Sequence, residues 1–313
     1  MSSKPSLSII IVTYNPGDLI LNCLDSVIAG STGLSVEVIV VDNASTDGTP
    51  ERIKAHFDQV LVIARAENDG FAAGCNQGLA AACGTYLMLL NPDVIVPADT
   101  FATLIHYMGE HPAAGVIGPR ILDGHDHVAL TAYPTYAPGM ILWQYLGGDR
   151  LLPYTYYGRY RRQCQESAEA FDVETVQGSC FMIRREVYQQ IGGLDEAFFL
   201  FCEEPDYCER VRSRGWRVTY VPDAHIVHYE SSTVSRYTLS RVRSYHLSPL
   251  IYFRKRRRPG AVLALRIGFS IELVIKLLLR SIQLAAGQRE LATHVTTYLS
   301  VIKEMWIDAQ PQQ

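Results

Sequence analysis

Four short apolar runs constrain this chain most. Residues 7–12, 36–41, 60–64 and 86–90 are almost devoid of polar side chains, and the first three are rich in Val, Ile and Leu. They are too short for helices and do not alternate in polarity, so each is predicted to be a strand buried on both faces. Turn residues and then apolar residues at helical spacing follow, as in Asn15-Pro16-Gly17 before Leu19, Ile20, Cys23, Leu24 and Val27. Strand, loop and helix in alternation imply an α/β fold with a parallel sheet covered on both faces. Such sheets bind ligands at the carboxyl ends of their strands, so the polar loops after strands are where chemistry belongs.

Downstream the pattern changes. Residues 124–174 are rich in Tyr and Arg (Tyr154, Tyr156, Tyr157, Arg159, Tyr160, Arg161, Arg162) and read as loops and short elements. Order returns with a strand over 176–183, a helix over 184–191 stopped by Gly192-Gly193, a helix over 204–214 and a last short strand over 218–221 before Pro222-Asp223. Beyond 236 the text becomes helical and basic. The predicted organisation is a catalytic domain over 1–235, with halves at about 1–123 and 124–235, and a helical extension over 236–313.

Charge divides the chain in the same place. Residues 1–235 hold 15 Lys/Arg against 28 Asp/Glu and residues 236–313 hold 13 against 4, a net −13 followed by a net +9. The acidic body argues against a nucleic-acid partner, because phosphate backbones are bound by clustered Lys and Arg. The basic tail suits anionic lipid headgroups or is a solvated face. Within it, Arg266, Glu272, Lys276 and Arg280 interrupt every apolar run before the ~18 residues needed to cross a bilayer, and fall within about a third of the helix circumference. The segment is either an in-plane amphipathic helix or a helix packed on the catalytic domain. Seven cysteines, an odd set without CxxC or zinc spacing, indicate a reducing compartment. The run over 9–12 is too short for a signal-peptide core, so a cytoplasmic protein is expected.

Several polar groups stand where this topology makes them useful. Asp42 ends the second strand and is placed to accept hydrogen bonds from a base imide or a ribose hydroxyl, or to cap the next helix. The small residues of 67–78 either let backbone approach a ligand, with Asn76 beside it, or are a turn entering a helix. Asp93, in Asn91-Pro92-Asp93 after a buried strand, is a metal carboxylate or part of a turn. Oxygen ligands are what Mg²⁺ or Mn²⁺ require, and diphosphate oxygens usually complete such a site. Glu203, Glu204 and Asp206 follow an aromatic run. They complement a helix dipole, or supply one carboxyl of raised pKa, as a general base near neutral pH needs. His228 is a structural imidazole or a third metal ligand.

In this order, Val12-Thr13-Tyr14-Asn15, the stretch Val41-Asp42-Asn43-Ala44-Ser45-Thr46-Asp47-Gly48-Thr49, residues 68–78, Leu90-Asn91-Pro92-Asp93, and Gly193-Leu194-Asp195-Glu196 through Asp206 resemble the family-two glycosyltransferases of GT-A fold, and bacterial rhamnosyltransferases among them. The resemblance covers residues 6–235. It implies a mixed, mainly parallel sheet, a nucleotide-sugar donor, and donor contacts from Thr13, Tyr14, Asn15, Asp42, Asn43, Asn76, Asn91 and Asp93. Asp93 and His228 would hold Mg²⁺ or Mn²⁺, Glu204 or Glu203 would be the base, and Gly178, Asp195 and Asp206 would face the acceptor. Two residues depart from the family: Glu204 stands where an Asp is usual, and Asn91 replaces the first Asp of a DxD. No Gln-x-x-Arg-Trp follows, which argues against a processive synthase.

The implied reaction is an inverting transfer of a sugar, rhamnose from dTDP-rhamnose by resemblance, to a glycan or polyprenyl-linked glycan at the cytoplasmic face of the inner membrane. Galactose, glucose or N-acetylglucosamine on UDP are alternatives. A nucleotidyltransferase would need a basic Gly-rich loop that is absent here, and a non-catalytic glycan-binding scaffold is the reading from another class. The oligomeric state is left open, a dimer included.

Overall fold

Runs of Val, Ile and Leu without polar alternation bury both sides of a strand, and the computed structural model places three of the four runs inside a sheet and the run over 60–64 at its edge. It describes residues 4–148, 157–229, 239–285 and 292–307. The first half alternates as β1 (Leu7–Thr13), α1 (Leu19–Gly30), β2 (Val36–Asp42), α2 (Thr49–His56), β3 (Val60–Ala64), α3 (Phe71–Ala81) and β4 (Tyr86–Leu90). The short β5 (Val94–Ile95), α4 (Thr100–Glu110) and β6 (Ala114–Leu122) follow. Then come β7 (Ala132–Tyr133), α5 (Pro138–Tyr145), α6 (Tyr157–Glu166), β8 (Phe171–Asp172), β9 (Thr175–Val176), β10 (Cys180–Arg184), α7 (Arg185–Ile191), α8 (Glu203–Ser213) and β11 (Arg217–His228). Three helices close the chain: α9 (Leu239–Lys255), α10 (Pro259–Ala285) and α11 (Ala292–Trp306).

Nine strands form one sheet in the order β3-β2-β1-β4-β10-β6-β11-β5, with β8 beside β11, while β7 and β9 make a small second sheet. β3, β2, β1 and β4 are parallel, and β10 enters antiparallel between β4 and β6, so the sheet is mixed. Its period of two sorts side chains to opposite faces. Leu7, Ile9 and Ile11 join one buried cluster with Cys23 and Leu24 of α1 and Phe101 of α4. Ile10 and Val12 join another with Cys75 and Leu79 of α3 and Tyr207 of α8. Each such side chain contributes about 1.5–3 kcal/mol by burial, so no strand of this kind is stable at the surface.

The small residues of 67–78 serve this packing. A Cβ at Gly74 would sit 2.7 Å from Val12, and one at Gly78 would collide with Ile10. The glycines bring α3 down onto β1.

Two boundaries differ from the sequence reading. The strand expected over 176–183 is two strands, β9 and β10, because Gln177-Gly178-Ser179 breaks the ladder. The strand expected to stop at residue 221 runs to His228, since an irregularity between Val221 and His225 absorbs Pro222 and lets pairing with β6 resume at His225↔Arg120. Tyr154 and Tyr156 lie outside the described residues, as does the boundary at 235/236.

The described residues fall into two units: those within 1–135, 156–196 and 203–233, and those within 136–155, 197–202 and 234–313. The second unit therefore recruits two segments that the sequence reading assigned to a continuous catalytic domain. The reason is apolar: Ile141, Phe198 and Cys202 are buried in one cluster with Leu250, Phe253 and Phe269. All seven cysteines are free thiols.

Candidate active site

Thr13 and Asp42 end adjacent parallel strands and are register partners. Thr13 is 2% and Asp42 1% exposed. One Asp42 oxygen accepts the Ser45 N–H at 2.8 Å. Its Oδ1, and the Thr13 Oγ1, have no hydrogen-bond partner among the described residues. Buried polar atoms are nearly always paired, and an unpaired one costs about 1–3 kcal/mol, so two together at a sheet rim mark a place for a ligand with matching donors. Asn15 holds the rim in shape at φ 47: its N–H donates to Ser45 Oγ (2.8 Å), and its Oδ1 accepts the Thr46 N–H (2.7 Å). Tyr14 is exposed.

Asn43 and Asn76 are braces. The Asn43 amide donates to Gly70 O and accepts from Arg65, each at 3.0 Å. Asn76 donates to Leu194 O (2.9 Å) and Glu196 (2.8 Å) and accepts the Leu194 N–H (2.8 Å). These bonds tie both side chains to loops.

The length of β11 places His228. It pairs with Val94 of β5, the Tyr229 N–H donates to Asp93 O (3.2 Å), and His228 Nε2 lies 3.1 Å from Asp93 Oδ1. His228 Nδ1 is buried without a partner among the described residues. No group of three or more His, Cys, Asp or Glu able to hold a metal occurs among the described residues. Asp93 and His228 offer one carboxylate and one imidazole, donor types that Mg²⁺ or Mn²⁺ accept, with diphosphate oxygens the usual complement to so few protein ligands. Asn91 contributes backbone: its N–H donates to Ser179 O (3.0 Å), and its carbonyl accepts from Cys23 Sγ.

The acid pair opens α8. Phe201 (φ 67) and Cys202 (φ 75) are consecutive non-glycine residues in the left-handed region immediately before it, a strained entry of the kind that clusters at functional sites. Glu203 is buried. Glu204 is half-buried and accepts the Gly178 N–H at 3.1 Å. Burial pushes the Glu204 carboxyl above the ordinary glutamate range, against the opposing pull of the hydrogen bonds from its own and the Gly178 N–H. A Cβ at Gly178 would occupy the space of that carboxylate, so this glycine is what admits it. The buried Cys75 thiol is also pushed up, by burial and by the carboxylates of Glu203 and Glu204. Asp206 pairs with Arg210 (2.9 Å), whose other nitrogens hold Ile191 O and Gly193 O in the loop ahead of Asp195.

Ser179 and Gln177 escaped the sequence reading. Ser179 Oγ and Gln177 Oε1 are buried without partners among the described residues, on either side of the glycine that binds Glu204. The signal was present: Gln-Gly-Ser interrupts an apolar run that was taken for one strand.

A sequence model of glycosyl transferase family 2 matches residues 8–192. N-acetylglucosaminyl-diphospho-decaprenol L-rhamnosyltransferase of Mycobacterium tuberculosis is 28% identical over 269 residues, covering 80% of this chain and 84% of that protein. Rhamnosyltransferase WbbL of Escherichia coli K12 is 24% identical over 178 residues, 55% of this chain and 62% of that protein. Among solved structures, the mannosyltransferase PcManGT of Pyrobaculum calidifontis, determined with GDP-Man and Mn²⁺, superposes with a TM-score of 0.57 at 18% identity, covering 99% of this chain and 89% of that one. That likeness bears out the GT-A fold.

Proposed function

We propose, on the premise that this chain belongs to glycosyl transferase family 2, that it moves L-rhamnose from dTDP-rhamnose to a hydroxyl of a lipid-linked glycan with inversion at the anomeric carbon. The observation that carries the reading is Glu204, a carboxyl of raised pKa oriented by Gly178. As base, Glu204 takes the proton of the acceptor hydroxyl. The acceptor oxygen forms its bond to the anomeric carbon as the bond to the diphosphate oxygen breaks, and the electron pair leaves with the diphosphate. A single displacement of this kind inverts configuration. Thr13 and Asp42 fix the nucleobase by the atoms that the protein leaves unpaired. Asp93 and His228 would hold a divalent cation, which neutralises charge developing on the departing diphosphate. Positioning by the rigid sheet and this electrostatic stabilisation provide most of the acceleration.

Rhamnose is supported by what two relatives are named for, and the lipid-linked acceptor by the name of the Mycobacterium tuberculosis relative alone. An acceptor of that kind puts the reaction at a membrane surface. A thermal-shift panel of nucleotide-sugars with Mn²⁺ tests the donor. The largest stabilisation is expected with dTDP-rhamnose and is lost in Asp42→Ala; a larger shift with a UDP-sugar overturns the assignment, and no shift with any of them removes the donor site.

A further inference from the structure

Helix α10 is inverted for a helix meeting water. Its charged residues Glu272, Lys276, Arg266 and Arg280 lie in about a third of its circumference, and within that third Glu272 turns toward its own unit. Glu272 is 5% exposed and meets His246 and Lys276. On the inner side Leu265, Phe269 and Leu273 are buried in the cluster with Leu250, Phe253 and Tyr298. The outer side is also apolar: Leu263, Ile267, Ile271, Val274, Ile275 and Leu278 are between 42% and 60% exposed. Apart from the adjacent Val274 and Ile275 they recur every three or four residues, and no charged residue shares their face of the helix. Monomeric proteins seldom leave a stripe of this kind uncovered.

The surroundings of the stripe identify what covers it. At its amino end, Arg254, Arg257, Arg258 and Arg266 line a concavity of about 250 Å³ together with Pro259, Val262 and Leu263, and no carboxylate lines it. Leu263 belongs to both features, so the concavity and the stripe form one surface. Trp306 of α11 stands at its edge, 47% exposed, with Arg266 5.7 Å from its ring and its indole N–H donating to Ser270 Oγ at 3.0 Å. Guanidiniums, an indole and an apolar stripe in sequence are what the headgroup, interfacial and acyl layers of a bilayer each require. No described helix is long and apolar enough to cross one. A second copy of the chain fits less well, because residues 236–313 carry a net +9 that would be set against itself.

We infer that the outer face of α10, with the arginine concavity at its start, is a docking surface for an anionic phospholipid bilayer, on which the helix lies in plane. This rests on the surface alone and not on the reaction assigned above. Flotation of the full-length protein, without donor or acceptor, with phosphatidylcholine vesicles doped with phosphatidylglycerol tests it. Binding is expected at low salt, about tenfold or more tighter than to pure phosphatidylcholine and weakened by added salt. Ile271→Glu/Leu278→Glu, at exposed positions, is expected to lose about tenfold or more. Arg257→Gln/Arg258→Gln is expected to lose a similar factor together with most of the salt dependence. Both pairs should keep the wild-type melting curve. Equal affinity for neutral and anionic vesicles overturns the proposal. So does a dimer in sedimentation velocity that Ile271→Glu/Leu278→Glu dissolves while no vesicles are bound, which gives the face to a second copy.

Discussion

Glu204 shows how a single residue is set for its task. A buried carboxyl is harder to ionise, so it can accept a proton at neutral pH and release it later. Glu204→Gln keeps shape and most hydrogen bonding and is expected to lower kcat by about 10²–10⁴-fold. The acid limb of the kcat/KM profile should lie above the ordinary glutamate range, following the raised pKa. Stability should move the other way. Because the folded pKa is raised, the contribution of this carboxyl is fully present below its unfolded pKa and is lost as pH rises through the folded value. At pH 7 the melting temperature of Glu204→Gln should therefore equal or exceed that of the wild type, and a clear fall would show that the ionised carboxylate is a structural partner instead. At this scale the places of Asp42 at the end of a strand and of Glu204 in the first turn of a helix were legible from the apolar runs before them. The hydrogen bonds that Asn43, Asn76 and Asp206 make were not legible, since an amide or carboxylate beside a loop serves equally as ligand or brace. What decides between these is the partner, and for Asn76 it lies 118 residues away at Leu194.

Elements were read best where a single physical demand dominates. The four apolar runs are strands where expected, but the run over 60–64 is an edge strand with Leu61 52% exposed, not one buried on both faces. Sheet pairing over long distances was not legible. The extension of β11 past Pro222 depends on β6 and β5 beside it, and so does the meeting of His228 with Asp93. Helix α10 illustrates the same limit: its charges are periodic in the sequence, but the direction they face is fixed by His246 on α9. His246 Nε2 lies 3.1 Å from Glu272. Burial alone would raise the Glu272 carboxyl, yet hydrogen bonds from His246 and Lys276 hold it below the ordinary range. Its contribution is present above the unfolded glutamate pKa and lost as pH falls through the depressed folded value. Glu272→Ala breaks a buried pair and is expected to destabilise the second unit by about 3–5 kcal/mol in urea unfolding followed by circular dichroism. A loss below about 1 kcal/mol would mean that the pair is no better than a solvent-exposed one.

At the scale of the molecule, two units of opposite charge share one chain. In the proposed reaction the first would supply a donor rim at Thr13 and Asp42, a cation position at Asp93 and His228, and a base at Glu204. The second holds a helix with an exposed apolar face, proposed to lie on a bilayer. The division of labour was visible as a change of charge near residue 235 but not in detail, because the segments around Ile141 and Phe198 leave the first unit for the core of the second. The most direct test of glycosyl transfer is to incubate the full-length protein with dTDP-rhamnose, Mn²⁺ and N-acetylglucosaminyl diphosphopolyprenol, and to follow the acceptor by mass spectrometry. Addition of one deoxyhexose by the wild type, reduced about 10²-fold or more in Glu204→Gln, is the expected result. Addition at the wild-type rate by Glu204→Gln would contradict the role given to this carboxylate.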